Sequence, residues 1–153
     1  LSGYTALTQL LTTAELTRLL NEFSAVATEV VHADGARLVK FIGDAVMWVS
    51  PTPQHLVAAA VDLVEHPRAK QAHMRVRAGL NYGTVLAISG DYFGNSVNLA
   101  ARFVQVAEPG QILISAALHD ALPDWPVIAQ GPLALKGFDR PVPVFALARS
   151  VAD

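Results

Sequence analysis

The sequence predicts an α+β fold, a largely antiparallel sheet with helices packed on it. Three observations carry that expectation. Gly43-Asp44 and Tyr82-Gly83 each separate two strand-like stretches and read as tight hairpin turns, which a parallel doubly wound sheet lacks. Helical and strand periodicities are mixed along the chain. Apolar residues make up 52% of the 153 residues and charged residues 16%, a composition that fills a core and argues against disorder. At roughly 100–200 residues per domain, residues 1–153 are expected to form one domain.

Taken in order, Thr12 and Thr13 precede Glu15 as a helix start. Leu16, Leu19, Leu20, Phe23, Val26, Ala27, Val30 and Val31 then recur at three- and four-residue steps, an amphipathic helix that Asp34-Gly35 ends. Residues 36–42 and 45–50 read as two strands joined by Gly43-Asp44. Thr52-Pro53 opens a helix through Leu56, Val57, Ala60, Val61 and Val64 to about His66. Residues 75–81 and 84–88 read as a second hairpin, and 89–94 as a loop. A helix follows from Asn95 to Val106, stopped by Glu108-Pro109-Gly110. Then come a strand at 111–114, a short helix capped by Ser115, and strands near 126–130, 133–136 and 143–147.

Composition also excludes functions. Eleven basic and thirteen acidic residues leave a net charge of -2, with no basic field for nucleic acid or anionic lipid. With no cysteine there is no disulfide and no thiolate metal site. The longest apolar run, Leu56–Val61, falls far short of the ~20 residues of a membrane span, and no secretory signal is visible, so a cytoplasmic setting is expected. The chain starts at Leu1 without methionine and reads as a segment of a longer protein.

Three stretches could carry chemistry: Lys40–Asp44, Asp91–Arg102 and Leu135-Lys136-Gly137. Asp44 at a hairpin tip is either turn chemistry or a carboxylate ligand for a hard cation, and the turn alone does not decide. Lys40 should share a half-buried strand face with Leu38 and Ile42. It either snorkels along apolar surface or acts, and two of the chain's three lysines fall in these stretches. Asn98 and Arg102, four apart, should project from one helix face, either as a solvated polar pair or toward a ligand. Asp91 is a loop aspartate or a recognition group. The five histidines, His32, His55, His66, His73 and His119, show no metal or triad spacing.

In this order and spacing the set resembles the class III nucleotidyl cyclase catalytic domain, the adenylate/guanylate cyclase family. Leu1–Thr5 looks like the end of its first metal motif, and Lys40–Met47 like its lysine and second metal aspartate. Asn81-Tyr82-Gly83 is similar to its Asn/His-x-Gly turn. Gly94-Asn95-Ser96-Val97-Asn98-Leu99-Ala100-Ala101-Arg102 is similar to its most specific signature, and Leu135-Lys136-Gly137 to its late phosphate lysine. The resemblance implies a ferredoxin-like nucleotide cyclase fold working as a head-to-tail homodimer, with metal aspartates of one subunit facing the base- and ribose-binding residues of the other.

The same resemblance implies conversion of ATP to 3′,5′-cyclic AMP and pyrophosphate, assisted by two divalent cations, Mg²⁺ or Mn²⁺. Asp44 would hold metal, with the second aspartate and its strand expected immediately before Leu1. Lys40 and Asp91 would select adenine, since lysine only donates and aspartate only accepts. Asn98 would orient the ribose, Arg102 would contact the α-phosphate and Lys136 the β/γ-phosphates. Gln111 departs from family members with arginine in Gly-Arg-Ile, which shifts triphosphate binding toward Lys136 and metal. The alternative is a catalytically silent cyclase-like nucleotide-binding or dimerisation module. A diguanylate cyclase is disfavoured, because no Gly-Gly-Asp/Glu-Glu-Phe run is present. A nucleic-acid-binding module is disfavoured by the acidic balance.

Overall fold

The computed structural model describes residues 1–72 and 74–149. The chain divides into two units, Leu1–Arg77 and Ala78–Asp153. The first opens on a helix that the sequence did not announce, α1 (Tyr4–Leu10). None of its residues is buried, and its seven residues are too few for a helical period to stand out. The long amphipathic helix is α2 (Thr13–Ala33), with Phe23, Val26, Ala27, Val30 and Val31 buried. Thr12 Oγ1 accepts from Glu15 N at 3.1 Å and Glu15 Oε1 accepts from Thr12 N at 3.0 Å, a reciprocal capping box.

β1 (Arg37–Ile42) and β2 (Ala45–Val49) form the expected antiparallel hairpin. Ile42 pairs with Ala45, so Gly43-Asp44 is the whole turn, and Gly43 takes the positive φ of 59° that such turns demand. Its register corrects one expectation. Leu38 pairs with Trp48 and Lys40 with Met47, so one residue on β2 answers two on β1, a bulge around Val39. Strict alternation would put Lys40 beside Leu38. With the bulge, Leu38 and Trp48 face the core formed by Val31, Ala36 and Ala59, while Lys40 faces the other way with Ile42 and Met47.

α3 (Pro53–Val64) stops two residues sooner than expected, and α4 (Pro67–Gln71) follows it. Pro67 is the reason, since the residue before a proline is pushed out of helical geometry. His66 instead caps α4, its Nδ1 accepting from Arg68 N at 3.2 Å. Thr52 is the N-cap of α3 by position but makes no side-chain cap bond. Trp48 Nε1 donates to Leu56 O at 3.3 Å, fastening β2 to α3. A second cluster packs Phe23, Val26, Ala27 and Val30 of α2 against Leu63, Ala69, Met74 and Val76.

The second unit comprises β3 (Ala78–Leu80), β4 (Leu86–Ile88), β5 (Asp91–Phe93), α5 (Asn95–Val106), β6 (Ile112–Ser115), α6 (Ala116–Ala121), β7 (Val127–Leu133) and β8 (Val142–Leu147). Its main sheet has the order β3-β6-β8-β7, antiparallel except for the parallel pair β3–β6. The expected hairpin of 75–81 with 84–88 does not form. β4 pairs with β5 through Ser89-Gly90, both at positive φ, so 89–94 is a turn and a strand rather than a loop. Burial explains the exchange: Ala78 and Leu80 of β3 are buried against the rest of the unit, whereas all three residues of β4 are exposed. The strand expected near 126–130 is a longer bulged strand, β7, that ends at Leu133, and the separate strand expected at 133–136 does not form. Ser115 caps α6 as expected, its Oγ accepting from Leu118 N at 3.2 Å. Among the described residues, no helix is long and apolar enough to cross a membrane.

Candidate active site

In the first unit the site residues lie on the β1–β2 hairpin. Lys40 is half-buried on the face opposite the helices, and Asp44 occupies the second turn position, half-buried. Leu1 N donates to Asp44 O at 2.9 Å and lies 3.5 Å from the Asp44 carboxylate. Asp44 therefore offers hard oxygen donors beside the main chain of residue 1, a donor chemistry that suits Mg²⁺ or Mn²⁺. Among the described residues no group of three or more His, Cys, Asp or Glu side chains is gathered as a metal site. Asp44 alone would supply a single carboxylate to such an ion.

In the second unit, Asp91 opens β5 directly after the Ser89-Gly90 turn. Its Oδ1 accepts from Tyr92 N at 2.7 Å, which holds the carboxylate against its own strand. The chain then enters α5 through Gly94. Inward, Phe103 is fully buried, and Gly79 of β3 lies so close that a Cβ there would stand 2.7 Å from Phe103 Cβ and 2.8 Å from Val104 N. Outward, Asn98 is exposed and Arg102 half-exposed, one turn apart on the same side. Asn81 Nδ2 donates to Ser96 O at 3.2 Å, tying the end of β3 to the first turn of α5.

Lys136 is exposed on a turn closed by Phe138 N donating to Leu135 O at 3.1 Å. Buried Leu135 and half-buried Phe138 anchor the turn in the core of Phe103, Leu113 and Val144, leaving the lysine outward. Gln111 is occupied in its own loop, its Oε1 accepting from Glu108 N at 2.9 Å. Arg149, beyond the end of β8, donates from Nη2 to Gly110 O of that loop. Of the histidines, His66 caps a helix and His119 stacks its ring 4.9 Å from Phe145, which suits structural roles; His73 lies outside the described residues.

The sequence expectations passed over one polar neighbour. Gln105 Oε1 accepts from Arg102 Nη1 at 2.8 Å, and the signal for it was the three-residue helical spacing. They also missed the β4–β5 hairpin, whose Leu86, Ile88 and Phe93 are large, apolar and exposed, Leu86 by 63%.

The description "Adenylate and Guanylate cyclase catalytic domain" belongs to a family model that matches residues 1–148. An uncharacterized protein of Mycobacterium tuberculosis is 69% identical over 147 residues, covering 96% of this chain and 39% of that protein. An adenylate cyclase of Glutamicibacter nicotianae is 33% identical over 141 residues, covering 90% of this chain and 35% of that protein. The chain thus spans under two fifths of the length of these relatives. Among solved structures, the adenylyl cyclase CyaB from P. aeruginosa matches with a TM-score of 0.83 and 28% identity over 99% of this chain and 91% of that one. The catalytic core of a rhodopsin-guanylyl cyclase with converted specificity, in complex with ATPalphaS, matches in fold with a TM-score of 0.85 at 23% identity, over 96% of this chain and 90% of that one.

Proposed function

Because the chain belongs to the adenylate and guanylate cyclase catalytic-domain family, we propose that it converts ATP to 3′,5′-cyclic AMP and pyrophosphate at the interface of a head-to-tail homodimer. The observation that carries the reading is the outward pair Asn98 and Arg102 on α5, a helix anchored on its other side by Phe103. In the reaction the ribose 3′-oxygen bonds to the α-phosphorus and its proton passes to solvent. The bond from that phosphorus to the bridging oxygen breaks, and pyrophosphate leaves with the electron pair.

Each residue has a role that its chemistry supports. Asn98 orients the ribose so that the 3′-oxygen lies in line with the breaking bond. Arg102 contacts the α-phosphate, where its permanent charge and planar donors offset the growing negative charge. Lys136 meets the β/γ-phosphates as a point charge on an exposed turn. Lys40 donates to adenine N1 and Asp91 accepts from its 6-amino group; guanine reverses both and leaves buried groups unpaired. Asp44 is the carboxylate that would hold divalent cation, with the partner aspartate expected immediately before Leu1. Such an ion, when bound, lowers the pKa of the 3′-hydroxyl and neutralises phosphate charge. The dimer is supported by the exposed apolar β4–β5 hairpin, a surface that pairing would cover.

The test is turnover by a protein that carries this chain together with at least fifteen residues upstream. With Mg²⁺ or Mn²⁺ and ATP it should release cyclic AMP and pyrophosphate in equal amounts, with a strong preference over GTP. Nucleotide binding or dimerisation without any metal-dependent turnover would instead establish the silent-module reading.

A further inference from the structure

The outward stripe of α5 holds a third polar side chain beside Asn98 and Arg102. At 100° per residue, Gln105 lies about 60° round the helix from Arg102 and about 20° from Asn98. All three project away from the side marked by fully buried Phe103 and buried Ala107. Gln105 itself is exposed, and its Oε1 accepts from Arg102 Nη1 at 2.8 Å.

We propose that Gln105 is the positioning residue that aims the Arg102 guanidinium at phosphate, and that the position requires a neutral acceptor. The proposal rests on the reading of Arg102 as the α-phosphate contact. A free arginine side chain samples many rotamers, and an arm already held in place loses less freedom when the transition state forms. The guanidinium has five N–H donors; Gln105 engages one on Nη1 and leaves the rest for phosphate oxygens. An amide adds no charge, so the full positive charge of Arg102 stays available. A carboxylate at the same place would hold the guanidinium more tightly and cancel that charge. Gln105 is thus suited to orient without neutralising.

The experiment compares Gln105→Ala, Gln105→Glu, Arg102→Ala and the double variant Arg102→Ala/Gln105→Ala in the full-length protein, with ATP and Mn²⁺. Gln105→Ala should lower kcat about threefold to tenfold and leave KM for ATP nearly unchanged. Gln105→Glu should be slower still, and the double variant no slower than Arg102→Ala alone. Independently of turnover, nitrogen-resolved NMR should show two separate Arg102 Nη signals in the parent that merge in Gln105→Ala. The proposal is overturned by additive losses in the double variant, by a Gln105→Glu enzyme as fast as the parent, or by Arg102 signals indifferent to Gln105. Full turnover in Arg102→Ala would remove the role assigned to Arg102 itself, a separate failure that the NMR comparison distinguishes.

Discussion

Lys40 stands opposite Met47 across the β1–β2 ladder, although Leu38, two residues earlier, stands opposite Trp48. The bulge between them takes Lys40 off the face that packs on α2 and α3. On the packed face its ammonium would need burial among Val31, Ala36 and Ala59. On the other face it is half-buried beside Ile42 and Met47.

If Lys40 and Asp91 read adenine, reversing their polarity should change the nucleotide. Lys40→Glu combined with Asp91→Ser is expected to cut the ATP-to-GTP ratio of kcat/KM by at least about tenfold, since each mismatched group costs ~1–3 kcal/mol. Competition assays with both nucleotides measure it. An unchanged ratio removes both residues from base selection.

Asn98 and Arg102 act on the transition state in the proposed mechanism. Asn98→Ala or Arg102→Ala should each lower kcat by ~10²–10³ while KM moves only a few-fold. Loss confined to KM would mean plain substrate binding instead.

Gly79 sets how closely α5 approaches β3. A Cβ there meets the Phe103 side chain and the main chain at Ala100 and Val104, which cannot yield as a flexible side-chain tip can. Gly79→Ala should destabilise the protein by ~1–3 kcal/mol, read as a lowered denaturation midpoint. Gly131→Ala, where the added atom meets nothing within 4 Å, carries only the strain of its positive φ and should cost less.

Asp34 lies at the C-cap of α2, and its Oδ2 is buried. Burial, a hydrogen bond shared with Asp62 and the Asp62 charge push its pKa up to about 6, while His55 opposes the rise. Glu29, Glu65 and His66 line the same cavity. A carboxyl with a raised folded pKa stabilises fully below its unfolded pKa, and that stability is lost as pH rises through about 6. The difference in melting temperature, Asp34→Asn minus parent, should therefore grow in favour of the variant between pH 4 and pH 6.5 and then level off. A difference that stays flat across that range would contradict the shared proton.

Much of this was legible before the structure because it is written in local spacing. α2 shows its apolar residues at three- and four-residue steps, and Thr12 with Glu15 announces its start. The β1–β2 turn needs only Gly43 and Asp44 between two alternating runs. The bounds of α5 follow from Gly94 before it and Pro109 after it. The catalytic candidates were legible for a different reason, their order and separation matching a family motif. α1 was not legible, since seven residues hold too few helical steps for a period to show.

The residues alone determined the α+β class, the main helices, the first hairpin and the family that the chain belongs to, because short-range hydrogen bonding and side-chain period are properties of neighbouring positions. Tertiary structure decided that β3 pairs in parallel with β6, that Leu86–Ile88 folds onto Asp91–Phe93, that a bulge sets the face of Lys40, and that Gln105 holds Arg102. Strand partners and bulges are chosen by which surfaces can be buried together, a competition among segments distant in sequence that no local window contains.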